Sequence, residues 1–234
     1  MKYPDDFINK VICGDCLEVM KEIPDKSVDL VLTSPPYYTT QHKYQRGSGF
    51  HYSTDIGEPL YLIEDSAKEL YRILRDDGAL ALNLGFSYGE TGILRPYRII
   101  ERFLRRHWFP FDCIIWHKNN PVPIRERLTN AYEFIFVLTK KPDFKYKKKI
   151  NYEHNVWQFP VESKDWGTAA FPEELPQKCL EILTKENDII LDPFAGSGTA
   201  GLMAAKNKRK YILIEINPEY CKIAEERLRQ EVLF

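Results

Sequence analysis

Short apolar runs alternate with amphipathic stretches along the chain. Val11–Cys13, Val28–Leu32, Ala79–Leu84, Phe111–Trp116, Glu133–Leu138, Asp188–Leu191 and Tyr211–Ile216 are brief and rich in aliphatic and aromatic residues, which predicts strands. A helix is predicted from near Pro59, with Leu62, Ile63, Leu70, Ile73 and Leu74 on one face, stopping before Gly78. Further helices are predicted over Pro96–His107, Pro172–Thr184, Thr199–Asn207 and Pro218–Gln230. This alternation implies an α/β fold: a seven-stranded, mostly parallel sheet with helices on both faces. No repeat or low-complexity linker divides the 234 residues, so the expectation is one domain over 1–234.

Two segments break the pattern. Tyr38–Gly57 carries His42, Lys43, Tyr44, Arg46, Phe50, His51 and Tyr52, and His117–Asn130 carries Pro121, Pro123, Arg125 and Arg127. Both follow a predicted strand, at the carboxyl edge where open α/β sheets bind ligands.

Composition narrows the class. Hydrophobic residues at 44% and charged residues at 29% are a globular balance. No apolar run approaches the length of a membrane span, and the first ten residues lack the apolar centre of a signal peptide, so no membrane partner is expected. Five cysteines, an odd number, read as reduced thiols in a cytoplasmic protein. A net charge of −1 argues against a chain coated in positive charge, but nucleic acid needs only a local patch. Lys140–Lys149 holds six lysines and one aspartate, a run that usually means a solvated loop. Cys13-x-x-Cys16 lacks a second pair and the five histidines are scattered, so no metal is expected.

Chemistry concentrates in two places. Ile189-Ile190-Leu191-Asp192-Pro193-Phe194-Ala195-Gly196-Ser197-Gly198-Thr199 runs from an apolar strand into a helix. Gly196 and Gly198 permit a tight turn and close approach of backbone N–H groups to a ligand. Ser197 and Thr199 add hydroxyls at a helix start, where a carboxylate is favoured. The next strand ends in Glu215, placed to accept both hydroxyls of a ribose. With neither a full G-x-G-x-x-G nor a lysine after the glycines, a nucleoside bearing an amino-acid tail fits better than a dinucleotide or triphosphate. Asn217-Pro218-Glu219 reads as a helix start, with Asn217 as N-cap.

Thr33-Ser34-Pro35-Pro36-Tyr37-Tyr38 leaves the end of another strand. Two prolines stiffen the loop and add acceptors without N–H donors, and Tyr37 offers an aromatic face. Such a loop could stack a planar ring on Tyr37 while the Ser34 and Pro35 oxygens take the hydrogens of its exocyclic amine.

TSPPYY at 33–38 with DPFAGSGT at 192–199 resembles the DNA amino-methyltransferases, in the permuted order of the β-class. The resemblance spans nearly the whole chain. It implies S-adenosylmethionine as cofactor, with S-adenosylhomocysteine as product. Gly14-Asp15-Cys16-Leu17 is similar to the segment that meets the cofactor's adenine, and Ala170-Phe171-Pro172-Glu173-Glu174-Leu175 to the element over its methionyl part. The implied cofactor residues are thus Asp15, Cys16, Phe171, Asp192, Phe194, Gly196, Ser197, Gly198, Thr199 and Glu215. Ser34, Pro35, Pro36 and Tyr37 are the implied catalytic set. Trp116-His117-Lys118 and Asn130-Ala131-Tyr132-Glu133 are similar to the region near the target base.

Within that family Ser at the head of the Pro-Pro motif accompanies N4-methylation of cytosine more often than N6-methylation of adenine. The leading expectation is therefore methyl transfer to cytosine N4 in double-stranded DNA, as in restriction-modification systems. N6-adenine, RNA or a protein amide, and a non-enzymatic DNA-binding role stay open beside it. The chemistry would be direct in-line transfer to a base flipped out of the duplex. A homodimer and a cognate restriction endonuclease are partners on the resemblance alone. Only Thr139–Gly167 stands where the family carries a larger recognition segment. DNA contact is therefore expected from 38–57, 117–130 and 139–167, with Lys43, Arg46, Lys118, Arg125 and Arg127 as the contacting residues.

Overall fold

The computed structural model of the chain describes residues 1–35, 58–85, 93–121, 123, 125–126, 128–150, 153–161 and 171–232. One sheet runs in the order β1 (Lys10–Cys13), β8 (Lys210–Glu215), β7 (Ile189–Asp192), β2 (Val28–Thr33), β3 (Leu74–Leu84), β5 (Tyr132–Thr139), β4 (Phe109–Lys118) and β6 (Val156–Phe159). β5 is antiparallel to β3 and β4, and the remaining pairings are parallel.

Helices α1 (Cys16–Lys21), α2 (Glu58–Ile73) and α3 (Arg95–Leu104) cover one face, and α4 (Glu174–Leu183), α5 (Thr199–Lys206) and α6 (Pro218–Val232) the other. Leu30–Leu32 in β2 and Ala79–Leu82 in β3 are unbroken apolar runs because both faces are buried there, and successive side chains enter opposite layers. Leu80 and Leu82 pack with Met20, Leu70 and Phe103, whereas Ala79 and Ala81 pack with Leu180 and Leu183. Ile212 and Ile214 divide from Tyr211 and Leu213 in the same way. Each fully buried aliphatic side chain contributes roughly 1.5–3 kcal/mol.

Among the described residues the sheet has eight strands where the pattern predicts seven. The extra one, β6, is four residues long with only Trp157 and Phe159 buried, too short to stand out from its polar surroundings. It is recruited as an edge by register with β4, Trp116 opposite Trp157. The helix expected to run toward Gly78 ends at Ile73, and Leu74 opens β3 opposite Val28 instead. Ser27 and Lys26 donate their N–H groups to the carbonyls of Ile73 and Arg72 at 2.8 and 3.1 Å, taking acceptors at the helix's end. α1 lies outside the predicted helices because its six residues give no periodic signal. Among the described residues no helix is long and apolar enough to cross a membrane.

Chain direction sets which end of the sheet carries function. β1, β8, β7, β2 and β3 end together at Cys13, Glu215, Asp192, Thr33 and Leu84. α2 carries the chain from β2 to β3 across one face, and α5 carries it from β7 to β8 across the other. Adjacent strands β7 and β2 therefore send their connections in opposite directions, which opens a crevice at their carboxyl ends. β5 runs the other way, so Lys140–Lys149 leaves the sheet at the far edge. Eight residues of β5, at about 3.3 Å each, put the run roughly 25 Å from the crevice. There Lys140 Nζ donates to the Leu74 carbonyl and lies 4.8 Å from the Tyr71 ring centre, while Lys147 Nζ meets Asp77 Oδ2 at 3.1 Å. The first part of the 139–167 segment thus faces away from the crevice.

Candidate functional site

The crevice joins the two motifs. Thr33 Oγ1 donates to Asp192 Oδ1 at 2.6 Å, and the Phe194 N–H donates to the same oxygen at 3.0 Å. Thr33 and Asp192 are both buried. Burial pushes the Asp192 carboxyl up to about 7, helped by the Glu215 charge and opposed by the two hydrogen bonds. Ser34 and Pro35 follow Thr33, half-buried and buried. Pro36 and Tyr37 lie outside the described residues, as do Lys43, Arg46 and Arg127.

The turn after β7 is built on its glycines. Gly196 has φ +52° and Gly198 +80°, in the left-handed region where a side chain is strained. A Cβ on Gly198 would stand 2.8 Å from Ala224 Cβ on α6, so the turn packs directly on that helix. A Cβ on Gly196 would meet nothing within 4 Å. That open space above a backbone turn is what a closely held ligand needs.

Glu215, at the tip of β8, faces the same turn. Its Oε2 accepts from the Gly196 N–H and its Oε1 from the Asn217 N–H, both at 2.8 Å. Burial raises its carboxyl above the usual range, against the pull of these backbone donors. Each oxygen keeps a lone pair for a ligand hydroxyl. Asn217 caps α6 as its sequence predicts, with Oδ1 accepting from the Glu219 N–H at 2.9 Å. Cys13 pairs in register with Glu215, and its side chain is exposed. Asp15 caps α1, its Oδ1 accepting from the Leu17 N–H at 2.8 Å. The Cys16 thiol behind it is pushed up to about 12, chiefly by burial.

Four residues sit differently from a plain sequence reading. The hydroxyls of Ser197 and Thr199 are buried against Arg227, whose Nη1 lies 3.1 Å from each. Phe171 is buried in the layer that holds Leu175 and Phe159. Lys118, expected on DNA, is turned inward, its Nζ 2.6 Å from Glu133 Oε1 with both side chains at 13–14% exposure. Asn83 Nδ2 donates to the other Glu133 oxygen at 3.0 Å, so β3, β4 and β5 are tied together at the carboxyl edge. His117 Nδ1 beside them is buried without a hydrogen-bond partner among the described residues. Arg125 is exposed. Among the described residues no three His, Cys, Asp or Glu side chains gather to hold a metal.

Sequence reasoning passed over Arg227. The only signal for it is helical spacing: it follows Ala224, the residue against Gly198, by three positions and so shares that face of α6.

Comparison with known proteins accords with this geometry. A family model described as DNA methylase matches residues 28–226. The Type II methyltransferase M.MwoI of Methanothermobacter wolfeii is 34% identical over 237 residues, covering 93% of this chain, which spans only 34% of that longer protein. M.Cfr9I of Citrobacter freundii, also a Type II methyltransferase, is 30% identical over 261 residues, covering 93% of this chain and 87% of its own. Among solved structures, TTHA0409 of Thermus thermophilus, complexed with S-adenosyl-L-methionine, superposes with a TM-score of 0.75 at 26% identity, covering 96% of this chain and 94% of its own. With Thr33-Ser34-Pro35 and the DPFAGSGT turn meeting at one crevice, and the two motifs in the permuted order along the chain, the chain belongs to the DNA methylase family, as a β-class DNA amino-methyltransferase.

Proposed function

We propose that the protein transfers a methyl group from S-adenosylmethionine to the exocyclic N4 amine of cytosine in double-stranded DNA. The observation that carries this reading is the Thr33–Asp192 hydrogen bond, which sets the Ser34-Pro35 strand end beside the glycine turn. The open space over Gly196, with Glu215 at its rim, suits a nucleoside whose ribose hydroxyls reach the carboxylate. Backbone N–H groups at the start of α5 suit the carboxylate of its amino-acid tail. When bound, the cofactor supplies an electrophilic sulfonium methyl.

What the chain's own residues contribute is orientation. The Ser34 and Pro35 oxygens hold the amine hydrogens so that the nitrogen lone pair points at the crevice, and Tyr37 stacks the ring. Extruding the base from a duplex costs about a few kcal/mol, offset in part by that stacking. Ser34 at the head of the Pro-Pro motif supports cytosine over adenine. Arg125, with Lys43, Arg46 and Arg127, provides the phosphate contacts. Type II relatives support a cognate restriction endonuclease as partner.

The test is to methylate unmodified DNA with the purified protein, digest it to nucleosides and weigh the product. N4-methyldeoxycytidine is expected. N6-methyldeoxyadenosine would overturn the target atom, and label on RNA or protein instead of DNA would overturn the substrate.

A further inference from the structure

Arg227 occupies a position that no catalytic step requires. Its Nη1 lies 2.6 Å from the Ser197 carbonyl oxygen and 3.1 Å from both Ser197 Oγ and Thr199 Oγ1. Its Nη2 lies 3.6 Å from Glu173 Oε1, and the other Glu173 oxygen is 3.4 Å from Lys206 Nζ. The arginine side chain is only 10% exposed.

Two physical consequences follow. A guanidinium nitrogen can only donate, so each hydroxyl that takes a hydrogen from Arg227 keeps its own hydrogen to give elsewhere. Nη1 has two hydrogens for three acceptors, so one is shared, and Ser197 and Thr199 are set together as donors. The second consequence is electrostatic. A buried cation beside the N-terminus of α5 adds to the positive end of the helix dipole, which opposes helix stability but favours an anion. Glu173 tempers this charge from 3.6 Å away and belongs to the Phe171-Pro172 segment.

We infer that Arg227 is a positioning residue for the carboxylate of the cofactor's amino-acid tail. It polarises the Ser197 and Thr199 hydroxyls toward that anion, and through Glu173 it locks the glycine turn to the Phe171-Pro172 segment. Arg227 does not touch the ligand itself. The inference rests on the S-adenosylmethionine reading above.

Two ligands separate it from a merely structural role: S-adenosylhomocysteine, which carries the carboxylate, and 5′-methylthioadenosine, which lacks it. In calorimetric titrations Arg227→Met weakens S-adenosylhomocysteine by about 10- to 100-fold, the scale of lost charge-assisted hydrogen bonding. Binding of 5′-methylthioadenosine changes by less than about 3-fold, since its ribose rests on Gly196 and Glu215, where the Gly196 N–H is held by the Glu215 carboxylate and not by the arginine. Arg227→Lys keeps a charge without the fork and falls between, again for the carboxylate ligand alone. It also serves as the test protein if the methionine variant does not fold. Equal losses for both ligands, or no loss for either, would overturn the inference while leaving the cofactor site intact. Wild-type protein that binds neither ligand would instead remove the cofactor reading, and this inference with it.

Discussion

Thr33 and Asp192 stand 159 positions apart in the chain, yet the hydroxyl of one donates to the carboxyl of the other at 2.6 Å. The bond crosses from β2 to β7 at the mouth of the crevice, so any shift of the Ser34-Pro35 segment is felt by the glycine turn, and the reverse. Such a buried hydrogen bond is worth about 0.5–1.5 kcal/mol while the carboxyl is protonated and about 1.5–3 kcal/mol once it ionises.

Asp192 also makes stability depend on pH. Burial, the largest influence, raises its carboxyl from 3.8 to about 7. Between those values the folded protein holds a proton that the unfolded chain has released. Unfolding then frees a proton, and stability falls as pH rises through that window. Asp192→Asn should flatten the fall. Urea midpoints of both proteins at about pH 5 and about pH 7 test this, and parallel changes in the two would contradict it.

The two glycines of the turn should differ in tolerance. Gly198→Ala combines a φ of +80° with a Cβ 2.8 Å from Ala224 Cβ, and both strain and overlap must be relieved. Gly196→Ala at φ +52° meets open space and bears only the left-handed penalty of roughly 1–2 kcal/mol. Thermal melts should therefore rank Gly198→Ala well below Gly196→Ala, with cofactor affinity reduced in both. A reversed ranking would mean that the turn does not rest on α6.

Glu215→Gln tests whether the carboxylate is needed as a double acceptor. Gly196 and Asn217 each give an N–H to one oxygen, so an amide must aim its own NH₂ at one of these donors. Loss of about 1–3 kcal/mol of stability is expected, together with at least tenfold weaker binding of S-adenosylhomocysteine. An unchanged melt by differential scanning calorimetry would show that the side chain is not held as described.

Lys118 and Arg125 should part ways. Lys118→Met removes the ammonium from beside Glu133 in a shielded setting and should cost about 1–3 kcal/mol of stability. It should leave the salt dependence of DNA binding unchanged. Arg125→Ala should hardly alter the melt, but lower the slope of log affinity against log salt by about one. Fluorescence anisotropy across a salt series reads both, and a lowered slope for Lys118→Met would return that residue to the DNA surface.

Much of this architecture is legible from residue order because its determinants are local. Glycines at 196 and 198 and prolines at 35 and 36 restrict backbone shape on their own, and strands buried on both faces must be apolar throughout. β6 and α1 escape such reading because two buried aromatics among polar neighbours, and fewer than two helical turns, give too little pattern to stand out. Arg227 and Lys118 escape it for another reason. A charged residue on a helix or strand looks the same whether it meets solvent or a partner 15 to 30 positions away, as Glu133 and Ser197 are. The lysine run reads as part of a DNA-facing segment, and only the antiparallel course of β5 reveals that it sits at the opposite edge.

β1 pairs with β8, Lys10 opposite Ile212 through Cys13 opposite Glu215, so the first and last strands are immediate neighbours. The sheet is in effect a ring in sequence space, opened at one seam. A linker across that seam, with new ends cut among the exposed lysines near Lys145, should rebuild the same crevice with the glycine turn now preceding the proline loop. Motif order along such a chain is bookkeeping; what the chemistry requires is that β7 and β2 lie side by side.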